Sequence, residues 1–383
     1  MEHRTVGIVM NGVTGRMGTN QHLIRSILAI RADGGLPISG GRVLWPEPIL
    51  VGRNEAKVAA LAKTHGLDRW TTDLNAALND SAAEIYFDAQ LTNLRAPAVE
   101  AAIAAGMHIY VEKPTAEDTA SATRLAQLAD AAGVKHGVVQ DKLFLPGLRK
   151  LKRLVESGFF GRILSARGLH GYWVFEGGWH PSQRPSWNYR KADGGSVILD
   201  MFPHWRYVLD HVLGPVRALT CVAANHITER FDERNEPYHA DADDAAYAIF
   251  ELEGGIIVPF TTSWVSRVRR DELLELHVDG THGSAVAGLW DCVSQHRTQT
   301  PMPVWNPDVP PEHDFRADWV DVPANARFDN GFRVQWEQFL RHVADDAPFT
   351  WTLHEGAKGV QLAELAMQSW QEGRRVEVPP LPR

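Results

Sequence analysis

The sequence predicts a doubly wound parallel α/β sheet at the N-terminus, followed by a largely antiparallel open-sheet α+β domain. Short apolar strands alternate with helical stretches of about ten to fifteen residues as far as position 147 or so, a rhythm typical of parallel sheets. From Arg162 onward, apolar alternation continues without regular intervening helices, which favours antiparallel strands. At 383 residues the chain is long enough for two domains of ordinary size.

In the first domain, five apolar runs have the length and composition of buried strands. They lie at Thr5–Met10, Pro48–Val51, Glu84–Ala89, Met107–Val111 and Val134–Val139. Helical spacing or an Ala-rich composition follows the first four strands. The expected helices run over Gln21–Ile30, from Asn54 to near Gly66, from about Pro97 to Ala105, and over Ala116–Ala132.

In the second domain, long alternating runs predict strands, and one helical stretch interrupts them. The strands are expected at 161–171, 216–224, 245–252, 256–262 and 273–278, and the helix at about 197–213. The segment 298–326 is rich in Pro, Asp and Trp, which predicts a long surface loop. Helices at about 332–344 and 355–371 follow. We therefore expect domains at 1–147 and 148–345, and a C-terminal segment, 346–383, whose helix returns to the first domain.

The composition is that of a globular protein with a substantial core: 44% of residues are hydrophobic and 22% charged. A formal net charge of −8 argues against a nucleic-acid partner. The N-terminus lacks a signal pattern, and no apolar run reaches the ~20 residues of a membrane span. Cys221 and Cys292 are far apart and outside metal-ligand spacing. A cytoplasmic, reducing location without membrane contact is the expectation.

Gly12, Gly15 and Gly18 follow the first strand and lead into the first helix. Small residues there let the backbone approach a pyrophosphate at the helix N-terminus, as in Rossmann domains. The commoner spacing has a glycine at position 13, where this chain has Val13. We expect a bound dinucleotide; the alternative is a tight turn without a ligand.

Arg53 and Asn54 follow the second strand, where an acidic residue usually holds the adenosine ribose. Arg53 could stack on adenine or contact a phosphate, and Asn54 could bind a ribose hydroxyl. The choice between NAD and NADP is left open, with a narrow preference for NAD.

Glu112, Lys113 and Pro114 directly follow the strand 107–111. The carboxyl ends of parallel strands line the ligand crevice of such a sheet, and Pro114 restricts the backbone of Lys113. An ammonium delivered there can donate a proton or a hydrogen bond to a reacting hydroxyl. The alternative is a surface lysine in a turn.

Asp200 and His204 follow the pair Gly194-Gly195 and stand four residues apart, on one face if the segment is helical. Histidine is the common proton carrier near neutral pH, and a neighbouring carboxylate can orient it or bind a hydroxyl. The alternative is a structural pair.

Together these motifs resemble the glucose–fructose oxidoreductase/inositol dehydrogenase (Gfo/Idh/MocA) family over essentially the whole chain. Leu91-Thr92-Asn93 and Gly280–Ser284 are further matches. The resemblance implies a nicotinamide cofactor, a sugar or cyclitol substrate, and Lys113, Asp200 and His204 as the reacting groups. The residues expected to bind the cofactor are Asn11, Gly12, Thr14, Gly15, Arg16, Met17, Arg53, Asn54, Gln90, Thr92, Asn93, Glu112 and Lys113.

The chain departs from the family pattern at two places. Gln140-Asp141-Lys142 stands where the family often has an Asn-x-Arg-like segment, and Pro203 precedes His204 where a small or apolar residue is usual. Lys142 would add a positive charge near the nicotinamide and the substrate.

The segment from Trp173 to Lys191 interleaves aromatic residues with cations. Arginine pairs bidentately with anionic groups, and Trp faces can stack on sugars, so the segment suggests a sugar that carries an anionic group. An interdomain loop with surface ion pairs is the equal alternative. The residues expected to bind the substrate are Lys113, Lys142, Trp173, His180, Arg184, Trp187, Tyr189, Arg190, Asp200 and His204.

No metal is expected. His239, Asp241, Asp243 and Asp244 imitate a ligand set, but a polar turn before a strand explains them better. An exposed sheet face in the second domain predicts a homodimer or homotetramer.

The sequence thus predicts an NAD(P)-dependent oxidoreductase that acts on a CH–OH group of a sugar or glycoside. Two alternatives stay open: a redox glycosidase that uses a retained NAD on an anionic glycoside such as a sulfosugar, and a sensor that binds NAD(P) without turnover.

Overall fold

The computed structural model describes residues 3–326 and 329–382. They form two compact units. The first unit comprises the described residues of Met1–Phe144, Asp329–Gln361 and Pro380–Arg383, and the second those of Leu145–Phe328 and Leu362–Pro379.

The first unit contains a seven-stranded sheet. Its strands are β1 His3–Asn11, β2 Leu36–Pro37, β3 Val43–Val51, β4 Trp70–Thr71, β5 Ala83–Asp88, β6 His108–Val111 and β7 His136–Val138. The order is β2-β3-β1-β5-β6-β7, with β4 also paired to β3. All pairs are parallel except β2–β3. Chain order reverses at β1, so the predicted doubly wound parallel sheet is confirmed.

Helices cover the first unit's sheet. They are Gly18–Leu28, with π-type hydrogen bonding, Ala29–Ala32, Glu55–Thr64, Leu74–Leu78, Thr92–Ala104, Thr119–Ala131, Gly331–Asp345 and Leu353–Glu372, with 3₁₀ turns at Ser39–Gly41 and Asp141–Phe144. The last part of Leu353–Glu372, from Leu362, belongs to the second unit.

Both faces of this sheet are buried, which explains why its strands read as continuous apolar runs. Ile8 packs into one core cluster and the adjacent Val9 into the other. Two C-terminal helices complete these layers: Trp336 lies in the first cluster and Leu353 in the second. Helix Gly331–Asp345 belongs to the first unit. The sequence led us to expect it at the end of the second domain, 148–345.

The second unit contains a nine-stranded sheet and a separate hairpin. Its strands are β8 Ile163–Gly171, β9 Val216–Ala224, β10 Glu229–Phe231, β11 Pro237–His239, β12 Ala245–Leu252, β13 Ile257–Ser263, β14 Leu274–Gly280, β15 Gly283–Ala287, β16 Cys292–His296, β17 Val320–Asp321 and β18 Val376–Glu377. The sheet order is β17-β16-β15-β14-β8-β13-β12-β9-β18, and β10 pairs with β11. Only the β8–β13 pair is parallel, so the predicted largely antiparallel sheet is confirmed.

Helices Pro146–Glu156 and Val197–Val212 lie in the second unit, with 3₁₀ turns at Ser186–Tyr189, Lys191–Asp193, Glu253–Gly255, Arg297–Gln299 and Phe315–Asp318. Helix Pro146–Glu156 was not predicted, because its buried Leu148 and Leu151 stand among basic residues. Strand β15 was not predicted either, because its small residues give a weak strand signal.

None of the helices in the described part of the chain is long and apolar enough to cross a membrane.

Candidate active site

The glycine turn after β1 brings two backbone segments into close contact. Gly12 has a φ of +75°, and a Cβ added there would lie 2.6 Å from the Ala89 carbonyl carbon and the Gln90 nitrogen. A Cβ at Gly18 would lie 2.7 Å from the Gly12 carbonyl oxygen. Val13 is fully buried in the core, which explains why a large residue is tolerated there. The turn thus requires glycine at positions 12 and 18.

The residues around this turn fit a dinucleotide. Helix Gly18–Leu28 begins after Met17 with no side-chain cap on its first N–H groups, and such groups attract phosphate. Gly15 and Arg16 are exposed, and Thr14 lies 3.2 Å from the position of a Cβ at Gly52 at the end of β3. The turn is therefore exposed at Gly15 and Arg16, and Thr14 packs against the end of β3.

We expect Gly12→Ala to raise the dissociation constant for NADH about ten-fold or more and to lower the free energy of unfolding by about 1–3 kcal/mol. The added methyl group would displace the Ala89–Gln90 backbone and strain φ. Titration of NADH fluorescence and chemical denaturation measure the two effects.

Gly106→Ala is the matched control, because Gly106 has a φ of +78° and a Cβ there meets nothing within 4 Å. It should lose about 1 kcal/mol of stability and keep its NADH affinity. Equal NADH affinity in Gly12→Ala and the wild type would contradict a cofactor site at the glycine turn.

Arg53 and Asn54 lie at the end of β3, and both side chains are exposed. The Asn54 Oδ1 caps helix Glu55–Thr64 by accepting the Lys57 N–H at 3.0 Å. The suggested ribose contact of Asn54 therefore competes with a structural role, whereas Arg53 remains available to a phosphate.

Lys113 follows the end of β6, and hydrogen bonds to buried side chains fix its backbone. Its N–H donates to Glu112 Oε2 at 3.0 Å, and Glu112 Oε1 pairs with His22 Nε2 at 2.8 Å. Trp336 Nε1 in turn donates to His22 Nδ1 at 2.9 Å. Burial by itself would raise the pKa of Glu112, but the hydrogen bond from His22 holds that pKa below its usual value, with help from the Lys113 ammonium. The half-buried Lys113 is thus attached to a backbone that the ionised Glu112 carboxylate holds in place. The Lys113–Pro114 peptide bond is cis.

The other residues predicted for this side of the sheet follow β5 and β7. Gln90 donates its N–H to the Asp88 carboxylate at 2.9 Å, Thr92 begins helix Thr92–Ala104, and Asn93 is exposed. Lys142 lies in the turn Asp141–Phe144, 3.6 Å from the Asp141 carboxylate. Its charge is therefore partly balanced within its own turn.

Asp200 and His204 lie on helix Val197–Val212, as predicted, and the helix runs through Pro203. A Cβ at Gly195 would lie 2.4 Å from the Trp187 carbonyl oxygen, and Gly194 has a φ of +78°. The glycine pair thus brings the preceding aromatic segment against the start of the helix.

The start of this helix is fixed by two side chains. Ser196 Oγ accepts the Leu199 N–H at 3.1 Å, and the buried Asp243 carboxylate accepts the Ser196 hydroxyl and the Ile198 N–H at 2.9 and 3.0 Å. Burial raises the pKa of Asp243, against the hydrogen bonds that lower it.

His204 is 5% exposed, and its Nδ1 lies 2.6 Å from the Tyr207 hydroxyl, three residues further along the helix. When Nδ1–H donates to the Tyr207 oxygen, Nε2 is the basic nitrogen of the ring. Tyr207 was missed by the sequence analysis, although its spacing from His204 on a helix is a usable signal.

Asp200 is paired with Arg184. Arg184 Nη2 donates to Asp200 Oδ2 at 2.9 Å, and the guanidinium lies over the Trp264 ring at 4.0 Å. Burial would lower the pKa of Arg184, but the Asp200 charge keeps it above its usual value. Trp264 is another residue that the sequence analysis missed, because it lies on a distant strand end.

Tyr189 is fully buried, its ring 5.5 Å from that of Trp264 and covered by the Arg230 guanidinium at 3.7 Å. Burial raises the pKa of Tyr189 far above its ordinary value, despite the nearby arginines. A proton-accepting role for Tyr189 near neutral pH is therefore disfavoured.

The remaining predicted substrate residues lie in the same unit. Arg267 covers Trp173 at 4.0 Å and Arg190 covers Tyr238 at 4.3 Å. His180 is exposed and stacks on Phe175, and Trp187 is exposed. The structure thus joins Arg184 to Asp200 in the second unit, and places Lys113 and Lys142 in the first.

The carboxylates of the acidic segment before β12 accept hydrogen bonds from backbone N–H groups. Asp241 accepts the Lys191 N–H at 2.8 Å, Asp244 accepts the His226 and Ile227 N–H groups at 2.9 and 3.0 Å, and His239 lies 3.2 Å from Glu229. Together with Asp243, these residues act as turn and helix anchors.

Asp130, His136 and His354 form a group with metal-ligand spacing in the described part of the chain. The Asp130 carboxylate lies 2.9 Å from His136 Nε2 and 2.7 Å from His354 Nε2, and the Leu353 N–H donates to His136 Nδ1 at 3.1 Å. Because Nδ1 is an acceptor, Nε2 of a neutral His136 carries the proton and cannot ligate. This group is a hydrogen-bonded clamp, and the absence of a metal stays a prediction.

Two family descriptions match the chain. An oxidoreductase family with an NAD-binding Rossmann fold matches residues 44–140, and the GFO/IDH/MocA C-terminal domain matches residues 148–286. D-xylose dehydrogenase from Paenarthrobacter nicotinovorans is 55% identical over 98% of this chain and 97% of that protein. Levoglucosan dehydrogenase from Pseudarthrobacter phenanthrenivorans is 28% identical over 49% of each chain. A solved levoglucosan dehydrogenase, in complex with NADH and L-sorbose, has the same fold, with a TM-score of 0.80 at 20% identity over 98% of this chain and 99% of that chain.

Proposed function

This chain belongs to the Gfo/Idh/MocA oxidoreductase family, and from that premise we propose that it oxidises a hydroxyl group of a neutral sugar such as D-xylose. Its first unit is an NAD-binding Rossmann domain and it is a sugar oxidoreductase, as the resemblance in its sequence implied. The relation to a D-xylose dehydrogenase over nearly the full length is the observation that carries the proposal.

In the proposed site, Gly12, Gly15 and the start of helix Gly18–Leu28 would hold the pyrophosphate of the cofactor, and Arg53 would contact its adenosine end. The bound nicotinamide supplies the hydride acceptor. His204 Nε2 takes the proton of the substrate hydroxyl, while Nδ1 donates to Tyr207. Lys113 stabilises the negative charge that develops on that oxygen, and Asp200 binds a neighbouring hydroxyl.

The pairing of Arg184 favours a neutral substrate over an anionic one. Its guanidinium is occupied by the Asp200 carboxylate on one side and by the Trp264 ring on its face. An anionic group on the substrate would have to displace Asp200 from this pair, which costs more when the pair is partly buried. We therefore prefer a neutral sugar to the anionic one that the sequence suggested.

Arg53 supports use of NADP as well as NAD, because an arginine after this strand can accept the 2′-phosphate. We expect Arg53→Ala to lower kcat/KM for NADP about ten-fold, since hydrogen bonds to charged groups contribute roughly 1.5–3 kcal/mol. The value for NAD should change much less. Arg31→Ala, which removes one partner of a partly exposed ion pair with Glu47 elsewhere in the unit, is the control. An equal loss with both cofactors would contradict this role.

We also propose a homodimer or homotetramer that packs through the second unit's sheet. One face of this sheet is covered by helix Val197–Val212, through Phe202 against Phe250 and Trp205 against Phe260. On the other face, outward positions in register across β8, β13, β12 and β9 are Leu169, Thr261, Tyr247 and Val222. Tyr247 is 45% and Val222 60% exposed, and a second copy of the same face would bury them. A monomer in light scattering would contradict this.

The test is a panel of substrates with the purified protein. Neutral pentoses and hexoses, the matching uronic acids, and neutral and sulfonated aryl glycosides are each incubated with NAD and with NADP. Reduced cofactor with D-xylose and little with the uronic acids supports the proposal. Release of the aryl group without net reduced cofactor would favour the redox glycosidase, and bound cofactor with neither product would favour a sensor.

A further inference from the structure

Arg95 is a buried arginine that the sequence analysis did not single out. It lies in the first unit on helix Thr92–Ala104 and is 2% exposed. Arginine is almost never fully buried unless it is paired, so its contacts indicate what it is there to hold.

All three nitrogen atoms of the Arg95 guanidinium group are engaged. Nε donates to Asp88 Oδ1 at 3.0 Å, and Nη2 donates to the Gln90 carbonyl oxygen at 2.7 Å. Nη1 donates to the Pro114 carbonyl oxygen. Two of the three contacts thus go to backbone carbonyls in the loops after β5 and β6, the loops that carry predicted cofactor and catalytic residues.

Asp88 anchors this guanidinium and extends the network to β1. It is fully buried, and its Oδ2 accepts the Tyr86 hydroxyl at 2.6 Å. The Tyr86 oxygen accepts Asn11 Nδ2 at 2.9 Å. The ends of β1, β5 and β6 are therefore joined by one buried hydrogen-bond network, and Arg95 is the member that reaches β6.

The backbone on either side of the Lys113 side chain is fixed. Glu112 accepts the N–H of Lys113 itself, and Arg95 holds the carbonyl of the next residue, Pro114. The direction in which the ammonium leaves the sheet depends on both contacts. A displacement of about 1 Å at a reacting group can cost roughly a hundred-fold in rate.

We propose that Arg95 is a positioning residue for Lys113, which sets the place of the ammonium relative to the substrate hydroxyl without touching substrate. The proposal rests on the proposed function of Lys113. Arginine is required for its shape as well as its charge, because the planar fork reaches one carboxylate and two carbonyls at once and a lysine cannot.

The test is Arg95→Lys, which keeps the charge and loses the fork. We expect kcat with D-xylose to fall about ten-fold to a hundred-fold, with a change in NADH dissociation constant of no more than about two-fold. The primary deuterium isotope effect on kcat should rise, because hydride transfer becomes more rate-limiting when the alkoxide is stabilised less well. A purely structural role would reduce the amount of folded enzyme and leave the isotope effect unchanged.

Two further variants keep the test decisive. Arg31→Lys, in a partly exposed ion pair with Glu47, should behave as the wild type. If Arg95→Lys does not fold, Asp88→Asn loosens the same guanidinium and should lower kcat several-fold with the same rise in isotope effect.

An unchanged kcat and isotope effect in the folded Arg95→Lys or Asp88→Asn variant would overturn the proposal, as would a loss confined to cofactor affinity. A wild-type protein that oxidises no sugar would instead overturn the proposed function itself. The two failures are therefore distinguishable.

Discussion

Lys113→Ala should lower kcat with D-xylose by about a hundred-fold to a thousand-fold, the range for removal of one preorganised charge stabiliser. The substitution removes the ammonium and leaves the Glu112–His22 pair and the β6 backbone in place. Steady-state kinetics and NADH titration on the same preparation separate turnover from binding. We expect cofactor affinity to change far less than turnover.

The matched control is Lys57→Ala, which removes an exposed lysine from helix Glu55–Thr64. It should leave kcat and NADH affinity unchanged. Wild-type turnover in folded Lys113→Ala would remove the lysine from the mechanism. A parallel loss of cofactor binding would assign it to the cofactor site alone.

His204→Asn is expected to lower kcat by about a hundred-fold to ten-thousand-fold, the contribution typical of a positioned general base. Asparagine keeps a polar group near Tyr207 but cannot accept a proton at neutral pH. The KM for the sugar should change little if the ring acts mainly on the transferred proton. The fall in kcat toward acidic pH that a general base produces should also be absent from the pH profile of this variant.

His211→Asn is the control for this change, since it makes the same substitution about two turns further along the same helix. Wild-type kinetics in His211→Asn, together with a large loss in His204→Asn, supports the assignment. A similar small loss in both would mean that the helix tolerates asparagine and that His204 is not the base.

The sequence was sufficient to predict the elements whose buried residues form continuous or regularly spaced apolar runs. The strands of the first sheet are buried on both faces, so β1 and β6 stood out as apolar runs. Helix Val197–Val212 was found because it is a long, mostly apolar stretch, buried throughout Met201–Leu209, and a glycine pair precedes it. Helix Pro146–Glu156 was not predicted, because its few buried leucines stand among basic residues and give a weak apolar pattern.

The partners of the site residues were not predictable, because they come from distant parts of the chain. Trp336 lies more than two hundred residues after Glu112, yet both contact His22 in one core. Arg184 was singled out for its charge, and only the structure shows that Asp200 already neutralises it. A motif shows which residue types are available, whereas pairing decides which charges are left for a ligand.

Arg95 illustrates the same limit in the first unit. In the sequence it is one arginine on a helix, and nothing nearby reports that it will be buried against Asp88 and the Pro114 carbonyl. Its role depends on the loops after β5 and β6, which meet only after the parallel sheet has formed.

The most direct test of the account follows the hydrogen that leaves the sugar. D-xylose deuterated at all of its carbon-bound positions is oxidised by the wild-type protein, and the reduced cofactor is analysed by mass spectrometry. We expect deuterium on the nicotinamide ring and an oxidised sugar in equal amount. Reduced cofactor without deuterium, or consumption of the sugar without reduced cofactor, would contradict hydride transfer from a carbinol carbon.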